Sequence, residues 1–255
     1  MLISALLLVV GFILLIKGAD IFVDGASSTA RNFKIPKIVI GLTIVAFGTS
    51  APELAISLQA LASGSTDMVL GNVIGSNILN ILLIIGIAAL IKPIRIKSNT
   101  IRKELPICLL ISVLLAVLFL DTKLGNGNID QISRSDGFAI LLFFGVFIYY
   151  LVAITRARNR AASRVQEPAK YTLGRSLILV GLGLAGIIVG SNLVVESATV
   201  LATGFGMSER LIALTIIAFG TSLPELVTTI TAARKGEQDL LLGNVIGSNI
   251  FNICV

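Results

Sequence analysis

The chain has 255 residues, of which 55% are apolar and 13% charged, with a formal net charge of +6; its mean hydropathy is +0.98. A soluble globular domain carries about twice that share of charge, so a water-facing fold is excluded and the bilayer is the expected solvent. The positive balance fits basic loops beside a membrane and calls for no nucleic-acid partner.

Eight apolar segments follow in chain order, at 2–28, 37–62, 68–91, 105–121, 136–155, 173–202, 210–233 and 240–255. Most are long enough to span as helices. The first lacks a basic start and a small-residue cleavage site, so it reads as a spanning helix and not a removable signal. Cys108 and Cys254 lie in apolar runs and read as small core residues. The longest basic link, Arg156 to Arg175, is the expected hinge. It divides the chain into a first unit at 1–155, a basic linker at 156–172 and a second unit at 173–255.

Alternating sides after each span places 16 Lys and Arg residues on one side and three, Lys123, Arg134 and Arg210, on the other. The basic side is expected to be cytoplasmic and the N-terminus outside, in a multi-pass protein of the cell (inner) membrane. Lys17, inside the first span, is expected at the membrane boundary or paired with Asp20 or Asp24. Asp121, Asp130 and Asp136 are expected in a solvated outer loop, and Asp67 and Asp239 as caps at helix starts.

An internal repeat organises the whole. Leu42–Leu54 (LTIVAFGTSAPEL) and Leu214–Leu226 (LTIIAFGTSLPEL) agree at 11 of 13 positions, and Leu70–Asn80 (LGNVIGSNILN) and Leu242–Asn252 (LGNVIGSNIFN) at 10 of 11. Both blocks have an offset of 172, which marks one duplicated unit. Five spans separate equivalent points, and an odd number inverts the second copy in the membrane. Inverted repeats of this kind meet at a shared site near the midplane.

Glu53 and Glu225 fall in mid-span with no basic residue in the same stretch. A charge there is expensive and is rarely present without a function; a bound cation would neutralise it. Pro52 and Pro224 each remove an N–H and crowd the carbonyl four residues back, at Gly48 and Gly220. A broken helix with freed carbonyls is expected. Thr49 with Glu53, and Ser76 with Asn80, are four apart and share helix faces, as are Thr221 with Glu225 and Ser248 with Asn252. Ser50 and Ser222 sit one position further round. Such ligands are all hard oxygen, which suits Na⁺, Ca²⁺ or Mg²⁺, with the flexible cage favouring Ca²⁺ or Na⁺. The chain has no histidine, so zinc or copper is disfavoured and any proton coupling must run through carboxylates.

The paired GTSAPEL and GNVIGSNILN motifs, repeated as GTSLPEL and GNVIGSNIFN, resemble the alpha-repeats of the calcium/cation antiporter superfamily, above all its prokaryotic sodium/calcium exchanger (YrbG-like) members. The resemblance covers essentially the whole chain. It implies an all-α membrane protein with a sodium/calcium exchanger-like fold: two inverted repeats of five transmembrane helices, the second incomplete, with about eight helices present. It implies metal coordination by Ala46, Thr49, Ser50, Glu53, Ser76 and Asn80 in the first repeat. The second repeat supplies Ala218, Thr221, Ser222, Glu225, Ser248 and Asn252. The alanines would contribute carbonyl oxygens. It also implies that the first and sixth helices slide across the core to alternate access. The function implied is exchange of Ca²⁺ for Na⁺, or for H⁺, with no cofactor.

Two departures bear on that expectation. Sodium-driven members of the superfamily carry an aspartate where this chain has Asn252. The site then holds two formal negatives, which one Ca²⁺, two Na⁺ or two H⁺ would balance, and near-electroneutral exchange is expected. The chain also stops three residues after Asn252, whereas about 75 residues follow Asn80 within the first unit; it reads as C-terminally truncated. A cation channel and a non-transporting membrane protein are the alternatives. An enzyme is not expected, because no nucleophile–base pair or phosphate-cradling loop is present. The glycines at Gly181, Gly183 and Gly186 lie in a span, where close helix packing is their expected role.

Overall fold

Long apolar runs with few internal charges leave the backbone one way to satisfy itself in hydrocarbon, and among the described residues every element is helical. The computed structural model describes residues 1–120, 132–160 and 168–255. Asp121, Asp130 and Lys123 lie outside them. In chain order the helices are α1 (Leu2–Asn32), α2 (Lys37–Thr49), α3 (Ala51–Ala62), α4 (Thr66–Ile91), α5 (Leu105–Phe119) and α6 (Arg134–Arg160). There follow α7 (Leu173–Gly204), α8 (Thr215–Thr221), α9 (Leu223–Lys235) and α10 (Gln238–Cys254). Helices α2 and α3 form one span bent by 48°, and α8 and α9 another bent by 53°. Among the described residues α1, α4, α6 and α7 are long and apolar enough to cross a membrane, six spans in all if each bent pair is one, and each of the eight apolar segments holds one of these, α5 or α10.

Small residues set which helices touch. Gly11, Gly18 and Gly25 recur every seven residues along α1, as do Gly183 and Gly190 on α7. A methyl added at Gly183 would lie 2.5 Å from the Phe22 nitrogen, and one at Gly190 2.6 Å from the Leu15 nitrogen. The two longest helices therefore meet backbone to backbone. Lipid offers apolar side chains no drive to leave it, so such contacts rest on close van der Waals fit. Gly181, by contrast, faces open space. Of the three glycines expected to pack, Gly183 and Gly186 do and Gly181 does not.

Helix α10 occupies the centre and is buried along most of its length, from Leu240 to Ile250. It lies against α2, where added methyls at Gly243 and Gly247 would come within 2.6 and 2.7 Å of Ile38 and Ala46. Phe251 closes that contact edge-on to Phe47 at 4.9 Å. Among the described residues, the matching glycines of the other repeat, Gly71 and Gly75, have nothing within 4 Å of an added methyl. Two near-identical motifs thus sit in different surroundings, one tight and one open.

The basic ends of the helices are tied by ion pairs. Lys37 meets Glu237 at 2.5 Å, and Lys97 meets Asp239 at 2.5 Å. Lys235 reaches Asp24 at 2.8 Å and Asp20 at 3.3 Å, while Lys170 holds the other Asp24 oxygen at 2.7 Å. Lys235 and Lys170 therefore partner these aspartates, in place of the nearby Lys17, because the end of α9 and the segment before α7 fold back onto α1. The hydrogen bond to Asp24, and then one to Tyr171, hold the Lys170 ammonium above its ordinary range. Asp239 is an ion-pair partner and not a cap, and Asp67 lies in the first turn of α4, whose N-cap makes no side-chain hydrogen bond. Asp136 is fixed, its carboxylate accepting from the Ser133 N–H at 2.8 Å and hydroxyl at 2.6 Å. Cys108 and Cys254 are buried free thiols. Partly exposed pairs contribute little: Lys235→Ala should cost ~1 kcal/mol or less, with the difference shrinking in high salt, as read by thermal unfolding in detergent.

Candidate cation site

The two bends decide where the acids lie. Ser50 (φ −84°, ψ 6°) and Ser222 (φ −87°, ψ 5°) leave helical geometry in the same way, and Pro52 and Pro224 start the next helices where a missing N–H is tolerated. Glu53 and Glu225 consequently fall in the first turns of α3 and α9. The positive ends of those helix dipoles favour a carboxylate there.

Ser50-Ala-Pro-Glu53 has the spacing of a capping box, yet neither serine caps its own helix. Each hydroxyl crosses to the other repeat. Ser50 Oγ donates to Glu225 Oε1 at 2.8 Å, and Ser222 Oγ donates to Glu53 Oε1 at 3.2 Å. Ser248 Oγ lies 3.5 Å from the same Glu225 oxygen. Both glutamates are buried, at 3% and 1% exposure.

Asparagines stitch α4 to α10 around this pair. Asn80 Nδ2 donates to Asn249 Oδ1 at 2.9 Å, and its counterpart Asn252 Nδ2 to Asn77 Oδ1 at 3.2 Å and Ser76 Oγ at 3.0 Å. Asn72 Nδ2 donates to Ser57 at 3.0 Å, and Asn244 Nδ2 to the matching Thr229 at 3.1 Å. Thr49 Oγ1 donates to Asn244 Oδ1 at 3.1 Å. The positions 72, 77, 244 and 249 were not among the expected ligands, although each recurs at the 172 offset as an amide in an apolar span. Asn249→Leu should leave the Asn80 amide unpartnered and cost about 1–3 kcal/mol in a thermal melt.

After these bonds, seven buried side-chain polar atoms among the described residues lack a partner. Four of them are acceptor oxygens in two repeat-related pairs: Oε2 of Glu53 and Glu225, and Oδ1 of Asn80 and Asn252. Buried polar atoms are normally paired, and these four sit on residues expected to be ligands. Thr49, Ser50, Ser76, Ser222 and Ser248 are buried beside them. Thr221 is partly exposed and turns to the Ala218 carbonyl at 3.3 Å. The Ala46 carbonyl is not freed by the break: it accepts the Ser50 N–H at 2.9 Å and the Thr49 hydroxyl at 3.4 Å. No three Asp, Glu, His or Cys side chains cluster among the described residues, so the local charge is that of the two glutamates.

A cavity of about 170 Å³ leads to Glu53, lined by Ser57, Leu61, Asn72, Ser76 and Asn252. Val69, Leu70 and Val73 of α4 also border it. On the opposite side α10 packs closely on α2, and ion pairs join the basic helix ends.

The family profile described as "Sodium/calcium exchanger protein" matches residues 3–153 and 175–255. Inner membrane protein YrbG of Escherichia coli (strain K12) is 40% identical over 262 residues, covering 100% of this chain and 78% of that protein. Sodium/calcium exchanger MaX1 of Methanosarcina acetivorans is 33% identical over 282 residues, covering 98% and 80%. The structure of the sodium-calcium exchanger NCX_Mj soaked with 10 mM Na⁺ and zero Ca²⁺ superposes with a TM-score of 0.83 at 34% identity, covering 100% of this chain and 81% of that one.

Proposed function

The chain belongs to the sodium/calcium exchanger family, and from that premise we propose that it exchanges Ca²⁺ for Na⁺ by alternating access to the site between Glu53 and Glu225. It is a transporter and not an enzyme. The observation that carries the reading is the set of four donor-less oxygens in two repeat-related pairs. Together with the crossed serines, they make a cage of hard oxygen with two negative charges, the chemistry that Ca²⁺ and Na⁺ prefer. Thr49, Ser50, Ser76, Ser222 and Ser248 complete the proposed ligand set, together with the Thr221 hydroxyl and the Ala46 and Ala218 carbonyls, which would exchange their present hydrogen bonds for the cation. The bilayer is the protein's solvent and the cations are its cargo.

The units proposed to face each other are 1–155 and 173–255, joined by the basic segment 156–172. With the basic side cytoplasmic and the N-terminus outside, the cavity to Glu53 opens outward. Ca²⁺, two Na⁺ or two H⁺ each balance the two carboxylates, so exchange is close to electroneutral and H⁺ is an alternative coupling ion.

Radioactive calcium uptake into vesicles tests both points, with a Na⁺ gradient and a pH gradient applied in turn. Uptake is expected under a Na⁺ gradient with little charge movement. No uptake under either gradient would refute exchange, and a large calcium-dependent current would refute the charge count. A channel would conduct without a counter-ion gradient.

A further inference from the structure

Glu104 is a buried acid that the exchange site does not use. It ends the π-helical turn Thr100–Glu104 leading into α5, and is 3% exposed. Tyr150 of α6 donates to its Oε1, while its Oε2 is buried with no partner. An ionised carboxylate at this depth is costly unless its open oxygen meets a donor.

Glu104 and Tyr150 line a cavity of about 300 Å³ together with Lys97, Thr100, Lys103 and Asp239. The cavity carries both signs of charge. Asp239 is already engaged by Lys97, and among the described residues Glu104 has no cationic partner there. A bare metal ion fits poorly, since two ammonium groups oppose it and the space far exceeds the ~30 Å³ share of one water. A simple anion would confront Glu104. A group that joins a primary ammonium to a phosphate satisfies both halves. The cavity lies at the basic ends of the helices, where headgroups lie, and Ile101 and Val152 on its two flanking elements are exposed, giving acyl chains a surface.

We propose that this cavity binds the headgroup of an aminophospholipid of the phosphoethanolamine type, its ammonium on Glu104 Oε2 and its phosphate between Lys97 and Lys103. The site is separate from the exchange pathway and does not depend on which cation is carried.

Native mass spectrometry of the full chain tests this with phosphatidylethanolamine, phosphatidylcholine, phosphatidylglycerol and free phosphoethanolamine. Phosphatidylcholine keeps the phosphate but has no N–H donor, and phosphatidylglycerol has no ammonium. Phosphatidylethanolamine is expected to be retained about tenfold better than either, the scale of one charge-assisted hydrogen bond. Glu104→Gln should remove that preference. Lys103→Ala, at an exposed position that leaves the fold intact, should weaken phosphatidylethanolamine and phosphatidylglycerol together. Equal retention of the three lipids, stronger retention of phosphatidylglycerol, a preference unmoved in Glu104→Gln, or retention unmoved in Lys103→Ala would overturn the proposal. So would free phosphoethanolamine binding as well as the lipid, which would point to a soluble ligand instead.

Discussion

Glu225→Gln is expected to abolish calcium transport and to lower calcium affinity at least ~100-fold, about 2.7 kcal/mol. Glutamine preserves the volume of a side chain that is 1% exposed. It replaces one carboxylate oxygen with a donor and halves the site's charge. A divalent ion would then leave a net positive charge in a low-dielectric interior, where such an imbalance is heavily penalised. Stability should move the other way without calcium. Removing an unpaired buried charge is neutral or stabilising, so in chelator the variant melts at or above the parent temperature. The parent alone then gains stability as calcium is added, by the ligand-linkage relation. Glu53→Gln should behave alike, because the crossed serine bonds make the two acids equivalent. A calcium-dependent rise in melting temperature that survives both substitutions would remove the glutamates from the cation site.

Much of this site is legible in the sequence because duplication does the comparison that an alignment otherwise would. Glu53 and Glu225 stand out as acids that recur where neither has a basic neighbour, and the bends follow from Pro52 and Pro224. The asparagine contacts are less legible. Asn77 and Asn249 follow Ser76 and Ser248 by one position, so they point away from the i, i+4 face that gathers the serines with Asn80 and Asn252. Their role appears only once α4 and α10 are set side by side. Equally hidden is the destination of Ser50 and Ser222. Local spacing favours a cap, and a partner 175 residues away on the inverted copy takes the hydroxyl instead. The difference between the two GNVIGSN motifs is also invisible in their letters. The copy in α10 is packed on α2, the copy in α4 borders a cavity, and identical residues cannot encode that difference in surroundings.

Gly183→Leu is expected to abolish transport by forcing α1 and α7 apart, while Gly181→Leu on the same helix leaves transport near the parent rate. The two substitutions add the same apolar side chain at neighbouring positions of one helix. They differ in what the side chain meets: the Phe22 backbone at 2.5 Å from an added Cβ at position 183, and open space at 181. Backbone atoms cannot rotate away as a side-chain tip can, so the clash is relieved only by separating the helices. Overpacking of ordinary cores costs about 1–3 kcal/mol, and a contact that cannot repack belongs at or above the top of that range. If α1 and α7 slide as one body, the glycine seam is what makes them one body. Widening it should then slow exchange even at temperatures where the protein stays folded. Calcium uptake and melting temperature measured together on both variants separate the cases: transport lost from Gly183→Leu below its melt supports a moving pair, and equal rates in the two variants would show the seam to be passive packing.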